Sequence, residues 1–144
     1  MRRSDHGWAL DPARVRILIV DDDGEIQLLL RSVLAHLDHA NIEVVRNRAQ
    51  ALIALREHPA QIVFLDINLA DGESGFALLE HLSASRTPPF VAMVSSESTP
   101  VNFKRAMDAG AGYFLVKPFN SAKVKSVLDK FHKGASPAPA SQAG

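Results

Sequence analysis

The chain has 144 residues, enough for one domain with a buried core, and its 47% apolar and 22% charged residues are ordinary for a globular protein. Sixteen basic side chains balance sixteen acidic ones, which argues against a general electrostatic attraction to nucleic acid or to a membrane surface. The absence of cysteine excludes disulfides, thiol catalysis and Cys-based zinc sites.

Residues 1–14 contain Gly7, Trp8 and Pro12, and we interpret them as an N-terminal extension that packs back through Trp8. Five short apolar runs bounded by polar or turn residues then follow along the chain. Runs of this kind are typical of strands that are buried on both faces of a parallel sheet. The predicted strands are residues 15–20, 42–45, 62–65, 90–94 and 112–115.

A helical pattern follows each predicted strand. Apolar residues between Ile26 and Leu37 recur at helical spacing, and Asp23 precedes them as the expected N-cap. Asn47 is the expected cap of the second helix, and Thr99 that of the fourth. We predict five helices. The first begins after residue 23 and the second after residue 47. The third runs from 75 to about 82, the fourth runs from 100 to 110, and the fifth includes 124–131.

Strands and helices thus alternate five times, which indicates βα units and a parallel sheet covered by helices on both faces. Right-handed crossovers around one switch point arrange such units as a doubly wound α/β sheet. We predict one domain over residues 15–133. Residues 134–144 contain no charge and no large apolar side chain, and we interpret them as a flexible tail or a linker.

Acidic side chains end two of the predicted strands. Asp66 follows the third strand directly, and Asp21 and Asp22 follow the first. These strands are expected to be neighbours at the switch point, where open α/β sheets bind ligands. Clustered carboxylates repel one another, and Mg²⁺, which prefers oxygen ligands, would relieve the repulsion. We expect Asp22 and Asp66 to bind the ion directly and Asp21 to bind it through water. The backbone carbonyl of Asn68 is a further candidate ligand.

Two more side chains are predicted at the same edge of the sheet. Lys117 ends the fifth strand, and a cis Lys117–Pro118 bond would aim its ammonium group inward. Ser95 ends the fourth strand, where its hydroxyl could bond a phosphoryl oxygen. Phosphoryl transfer depends mainly on positioning and charge neutralisation, and this set of groups supplies both. We therefore predict that Asp66 is a phosphoacceptor.

The same residues carry a family resemblance that covers about four fifths of the chain. The chain resembles the receiver domain of the response regulators of two-component signalling. The motifs that carry the resemblance are ILIVDDD at 17–23, LDINL at 65–69, Ser95, and GAGYFLVKPF at 110–119. Each motif alone is weak, but their order and their placement at strand ends are specific.

The resemblance implies a flavodoxin-like fold with strand order 2-1-3-4-5. It implies that Asp66 accepts a phosphoryl group from a phosphohistidine on a sensor histidine kinase or a phosphotransfer protein, with Mg²⁺ as cofactor. It implies that Ser95 and Phe114 form a coupled switch, which changes how the face of helix four, strand five and helix five binds a partner. Asn68 and Glu97 occupy positions that tune the phosphoryl lifetime in the family, and their polar side chains favour fairly quick self-dephosphorylation.

The chain departs from the family pattern in the loop after Asp66. Ala70 stands where the family usually has proline, and the usual glycine falls one position late, at Gly75. The loop over residues 70–74 therefore carries an extra residue. We expect this residue to affect loop rigidity and nearby kinase docking, but not the metal ligands that precede it.

Three alternatives fit parts of the pattern. A phosphatase of the haloacid-dehalogenase type would use an aspartyl-phosphate intermediate, but it needs an acid where Asn68 stands. A metal site at His36 and His39 lacks an evident third ligand. The runner-up is a receiver fold that works as an interaction module without phosphorylation. We predict a signalling receiver rather than an enzyme, because the complete set of site residues is present.

The expected partners are a kinase or phosphotransfer protein and a downstream protein or output domain, without direct nucleic-acid contact. No apolar run approaches the roughly 18 residues that span a bilayer, and no apolar signal segment follows Arg3. We therefore expect no membrane association and a cytoplasmic location. A homodimer, and an output domain after residue 144, are left open.

Overall fold

The computed structural model describes residues 7–134, apart from the side chain of Asp71. Within these residues, five parallel strands form one sheet in the order β2-β1-β3-β4-β5, which confirms the predicted fold class and strand order. The strands are β1 (Ile17–Val20), β2 (Ile42–Val45), β3 (Ile62–Asp66), β4 (Phe90–Ser95) and β5 (Tyr113–Val116). The helices are α1 (Gly24–His36), α2 (Arg48–Glu57), α3 (Gly75–Ser83), α4 (Pro100–Asp108) and α5 (Ser121–Gly134).

Helices cover both faces of the sheet and create two cores. The core on one face combines sheet residues with α1 and α5, and the core on the other face combines them with α2, α3 and α4. Every residue of β1 and β3 is buried, because these strands lie inside the sheet and under helices on both sides. This double burial explains why both strands appear in the sequence as continuous apolar runs.

The predicted N-caps are confirmed. The side chains of Asp23, Asn47 and Thr99 each accept a hydrogen bond from a backbone N–H in the first turn of the helix that follows. These bonds satisfy amide groups that have no partner within the helix. The caps therefore fix the starts of α1, α2 and α4 at the predicted positions.

Some predicted boundaries and contacts differ from the structure. β1 begins two residues later than predicted, because Pro12–Arg14 form a 3₁₀ turn that Val15 closes by donating its N–H to the Pro12 carbonyl. Leu29 belongs to the predicted apolar stripe of α1 but is exposed, since the buried face of the helix is centred on Leu30 and Leu34. α5 continues through Gly134, one residue beyond the predicted end of the domain.

The segment before β1 packs against the domain through Trp8, as predicted. The indole ring is buried, and its Nε1–H donates a hydrogen bond of 2.8 Å to Asp129 Oδ1 on α5. Residues 1–6 and the predicted tail over 135–144 lie outside the described residues. In the described range, no helix combines the length and the apolar character that crossing a bilayer requires.

Candidate functional site

Three carboxylates converge where β1 and β3 end. The register pairs Val20 with Leu65, so Asp21 and Asp66 follow at neighbouring positions of the same sheet edge. Carboxylate oxygens of Asp21, Asp22 and Asp66 all lie within 4.8 Å of one another. Asp21 and Asp66 are only 2% and 7% exposed, whereas Asp22 faces solvent. The cluster is therefore buried at its base and open on the side of Asp22.

Local hydrogen bonds hold the two buried carboxylates. Asp21 Oδ1 accepts the N–H of Asp23 at 2.9 Å, and Asp66 Oδ1 accepts the N–H of Asn68 at 3.1 Å. The Gln27 side chain donates to the backbone carbonyl of Asp21 at 2.6 Å. Each carboxylate thus has one oxygen tied to the backbone, which leaves its Oδ2 atom for other contacts.

Lys117 occupies the position opposite these Oδ2 atoms. Its Nζ lies 3.3 Å from Asp66 Oδ2 and 3.4 Å from Asp21 Oδ2, and the side chain is largely buried. The contact with Asp66 is a hydrogen bond. The Lys117–Pro118 peptide is cis, which confirms the prediction from the Lys-Pro sequence. Lys117 is also tied to β4, because its N–H donates to the carbonyl of Ser95 at 2.8 Å.

Burial and neighbouring charges both shift the pKa values of the groups in this site. Burial, together with the neighbouring charge of Asp66, raises the pKa of Asp21 to about 6, although the hydrogen bond from Asp23 and the charge of Lys117 act to lower it. Burial by itself would lower the pKa of Lys117, but the carboxylates of Asp21 and Asp66 outweigh it and raise that pKa. The lysine therefore stays charged and offsets only part of the acidic cluster.

The residues present fit a hard divalent cation. Carboxylates are the ligands that Mg²⁺ prefers, and one positive charge faces three acidic groups. Asp21 Oδ2 is buried and accepts no hydrogen bond in the described chain, and beside its ion pair with Lys117 it is able to bind a cation. Asn68 forms an antiparallel bridge with Ser74 beside this cluster, and the role of its carbonyl as a ligand stays a prediction.

Ser95 lies at the end of β4, one strand away from Asp66, and is fully buried. Its Oγ accepts the N–H of Glu97 at 2.9 Å, so the hydroxyl contacts its own loop. Phe114 lies on β5 and is half-buried, with its ring in edge contact with the exposed Phe103 of α4 at 5.8 Å between centroids. The two residues of the predicted switch thus lie on adjacent strands, and their coupling stays a prediction.

The extra residue after Asp66 is taken up in a hydrogen-bonded turn. Ala70–Gly72 form a 3₁₀ turn, and the N–H of Leu69 donates to the carbonyl of Glu73 at 2.9 Å. Gly75 then lies against β3, where a Cβ atom would overlap the backbone carbonyl oxygen of Asp66. α3 therefore begins in contact with the strand that carries Asp66, despite the changed spacing.

Two residues of the site were missed by sequence reasoning. Gln27 bonds the Asp21 carbonyl, yet in the sequence it is one polar residue in the first turns of an amphipathic helix. The sequence distinguishes Gly75 only by its spacing from Asp66, and its contact with Asp66 depends on the angle at which α3 meets the sheet. No local signal identifies either contact.

Comparison with known protein families agrees with this arrangement. The family model of the response regulator receiver domain matches residues 17–129. The chain therefore belongs to the response regulator receiver domain family, a family of signalling proteins. In this family a phosphoryl-acceptor role is general, and Mg²⁺ binds at an acidic cluster of the kind that Asp21, Asp22 and Asp66 form here.

Individual relatives differ in how much of their length the chain covers. It is 30% identical over 124 residues to the sensory transduction protein LytT of Bacillus subtilis, covering 83% of this chain and 48% of that protein. It is 28% identical over 115 residues to the chemotaxis protein CheY of the same organism, covering 80% of this chain and 95% of that protein. A CheY-like response regulator receiver domain protein from Methanospirillum hungatei superposes with a TM-score of 0.71 at 28% identity. The superposition covers 83% of this chain and 98% of that protein chain. The chain thus spans about half of LytT and nearly all of CheY.

Proposed function

We propose that the chain is a phosphorylatable receiver in which Asp66 accepts a phosphoryl group from a phosphohistidine on a sensor histidine kinase or a phosphotransfer protein. A carboxylate oxygen of Asp66 would bond to phosphorus while the donor P–N bond breaks and its electron pair stays on nitrogen. The observation that carries the proposal is the position of Lys117 Nζ, 3.3 Å from Asp66 Oδ2 and 3.4 Å from Asp21 Oδ2.

The groups around Asp66 match the needs of this reaction. Lys117 balances the charge of the incoming phosphoryl oxygens, and the Ser95 hydroxyl can bond one of them. Asp22 and Asp66, with Asp21 through water and the carbonyl of Asn68, would hold Mg²⁺. The bound ion would neutralise phosphoryl charge and orient the group for in-line transfer.

The same proposal includes a switch. To reach a phosphoryl group, Ser95 would release the N–H of Glu97, and Phe114 would turn inward into the space that becomes free. Phe103 would then lose the ring against which it rests. Val101, Phe103 and Val116 leave large apolar surface exposed on α4 and β5, which suits a partner-binding face formed by α4, β5 and α5. The partner would be a downstream protein or an output domain.

Phosphorylation with acetyl phosphate and Mg²⁺, followed by intact-mass measurement, tests the phosphoacceptor. We expect one added phosphoryl group on the wild type and none on Asp66→Asn. Asp23→Asn is the matched control, because it removes a nearby charge while asparagine keeps the cap of α1. Phosphorylation of Asp66→Asn would overturn the assignment. No response of the wild type to acetyl phosphate or beryllofluoride would favour an interaction module that works without phosphorylation.

The lifetime of the phosphoryl group tests Asn68 and Glu97. Both side chains are exposed, Asn68 two residues after Asp66 and Glu97 in the loop after β4, and a polar side chain there can orient water, so we expect fairly quick self-dephosphorylation. The decay of the phosphorylated mass after removal of acetyl phosphate measures it, and Asn68→Ala and Glu97→Ala should slow the decay. A half-life of many hours in the wild type would contradict this expectation.

A further inference from the structure

Three aromatic rings pack together and hold the segment before β1 against the domain. The Trp8 ring stacks on the His132 ring of α5 with 4.4 Å between centroids and 8° between planes. It meets His39, which follows α1, in an edge contact at 5.3 Å. Trp8, His39 and His132 are 8%, 0% and 1% exposed. We call these three residues the aromatic clasp.

Hydrogen bonds fix where the protons lie on the two imidazoles. His39 Nδ1 lies 2.8 Å from the carbonyl oxygen of Leu37, which can only accept, so His39 Nδ1 carries a proton. In a neutral ring, His39 Nε2 is then an acceptor. It lies 2.9 Å from His132 Nε2, which must therefore donate. The pair forms one Nε2–H···Nε2 bond with a defined direction.

This bond limits how many protons the closed clasp can hold. A first additional proton can go to His132 Nδ1, because the Nε2–H of that ring still donates to His39. A second additional proton must go to His39 Nε2, where it would face the Nε2–H of His132 across 2.9 Å. Two donors and two positive charges would then oppose each other in a buried site. Separated rings can hold both protons, whereas the clasp holds at most one.

Two charged side chains of α5 lie beside Trp8 in the clasp. Asp129 accepts the indole N–H of Trp8 at 2.8 Å and pairs with Lys125, whose Nζ lies 3.1 Å from Asp129 Oδ2. The Lys125 ammonium also lies 5.8 Å from the centroid of the Trp8 ring. Because Asp129 and Lys125 pair with each other, their opposite charges largely offset one another beside the clasp.

The groups next to the clasp along the chain are also titratable or charged. Asp38 precedes His39 and Lys133 follows His132, and both side chains are exposed to solvent. Asp5 and His6 precede Trp8 in the sequence and lie outside the described residues. His6 is therefore included among the variants below.

We propose that the aromatic clasp is a packing contact that opens on protonation. Uptake of a second proton by the His39–His132 pair opens it and releases Trp8 from α1 and α5, while the sheet stays folded. Trp8 belongs to the core on this face of the sheet, but we expect the sheet to stay folded because the clasp lies near the end of α5, which runs back from the carboxyl edge of β5 to the opposite edge. Acidification would thus free the segment before β1 and uncover the seam between α1 and α5.

Trp8 is the single tryptophan of the chain, so its fluorescence reports on the clasp. Between about pH 8 and about pH 5 we expect the emission to shift to longer wavelength and acrylamide quenching to increase. Opening takes up one more proton than the closed clasp holds, so the opening constant should rise about tenfold per pH unit once the pH is below about 6. Far-UV circular dichroism should stay constant over this range. Loss of that signal together with the shift would overturn the proposal.

Variants identify the responsible rings. In His39→Gln the amide oxygen can still accept from His132 Nε2–H but takes up no proton, so the shift should disappear while Trp8 stays buried. If that variant does not fold, His132→Gln gives the same test, since its amide can donate to His39. His36→Gln alters an exposed histidine of α1 and should behave as the wild type. Any of three results would refute opening of the clasp by protonation. The first is an unchanged shift in His39→Gln or His132→Gln, and the second is loss of the shift in His6→Gln. The third is a wild-type emission that does not depend on pH.

Discussion

Asp21 is a buried carboxylate whose charge is unfavourable in the folded protein without a cation. Burial raises its pKa from 3.8 to about 6. Between these two pH values the folded protein binds a proton that the unfolded chain has already lost. The free energy of unfolding therefore falls as pH rises from about 4 to about 6, and this loss is complete above that range.

Replacement of Asp21 by asparagine should relieve this cost. At pH 7.5 without Mg²⁺ we expect Asp21→Asn to raise the free energy of unfolding by about 1–3 kcal/mol, and at pH 4 to change it little. Urea unfolding at both pH values measures the difference. The control is Asp22→Asn, which removes an exposed charge and should change stability by less than about 0.5 kcal/mol. Lower stability of Asp21→Asn than of the wild type at pH 7.5 would contradict this account.

Addition and removal of Mg²⁺ test whether a cation offsets the unfavourable charge of Asp21. A cation bound by the acidic cluster stabilises the folded state by mass action. Added Mg²⁺ should therefore raise the melting temperature of the wild type more than that of Asp21→Asn or Asp66→Asn, as thermal unfolding with and without EDTA would measure. An equal rise in all three proteins would argue against a cation site at these carboxylates.

At the scale of elements, the contact of α3 with β3 positions the strand end that carries Asp66. Gly75→Ala would force a Cβ atom into the carbonyl oxygen of Asp66, so we expect a loss of about 1–3 kcal/mol in urea unfolding. Gly24→Ala is the matched control at the start of α1, because no atom lies near its added Cβ. That change should instead stabilise the protein by about 0.4–1 kcal/mol. Equal effects of the two substitutions would show that the close approach at Gly75 does not matter.

The contact between α4 and β5 is the element-scale test of the proposed switch. Beryllofluoride with Mg²⁺ should change the ¹⁹F signals of fluorophenylalanine at Phe103 and Phe114, because the two rings rest against each other. Phe103→Leu and Phe114→Leu assign these signals. Phe131 lies in the core on the opposite face of the sheet and should be unaffected. A change at Phe131 with none at Phe114 would rule out the proposed movement.

At the scale of the whole molecule, the segment before β1 extends the core beyond the family match, which begins at residue 17. Trp8→Ala should lower the free energy of unfolding by about 3 kcal/mol, because it removes a buried ring that packs between α1 and α5. Chemical denaturation measures this loss, and the exposed Arg14→Ala is the control within the same segment. The proposed phosphorylation of Asp66 should persist in Trp8→Ala, since Trp8 packs near the end of α5, away from the sheet edge that carries Asp66. Unchanged stability would mean that the segment packs without contributing to the fold.

The strands, most helix starts and the acidic cluster were predictable from the sequence. Doubly buried parallel strands produce continuous apolar runs, and cap residues mark α1, α2 and α4 because their side chains bond nearby backbone amides. The convergence of Asp21, Asp22 and Asp66 followed as well, because parallel strands place their carboxyl ends at one edge. Each of these features depends on local chemistry or on topology alone.

Tertiary structure decided the contacts between groups whose separation depends on packing. His39 looked like a possible partner of His36, but it bonds His132, 93 residues away. Gln27 bonds the carbonyl of Asp21, and Gly75 abuts that of Asp66, without any local sequence signal. The sequence by itself determined which elements form and which edge of the sheet carries the acidic cluster. Only the folded chain set the distances, because these depend on how helices far apart in sequence pack across the sheet.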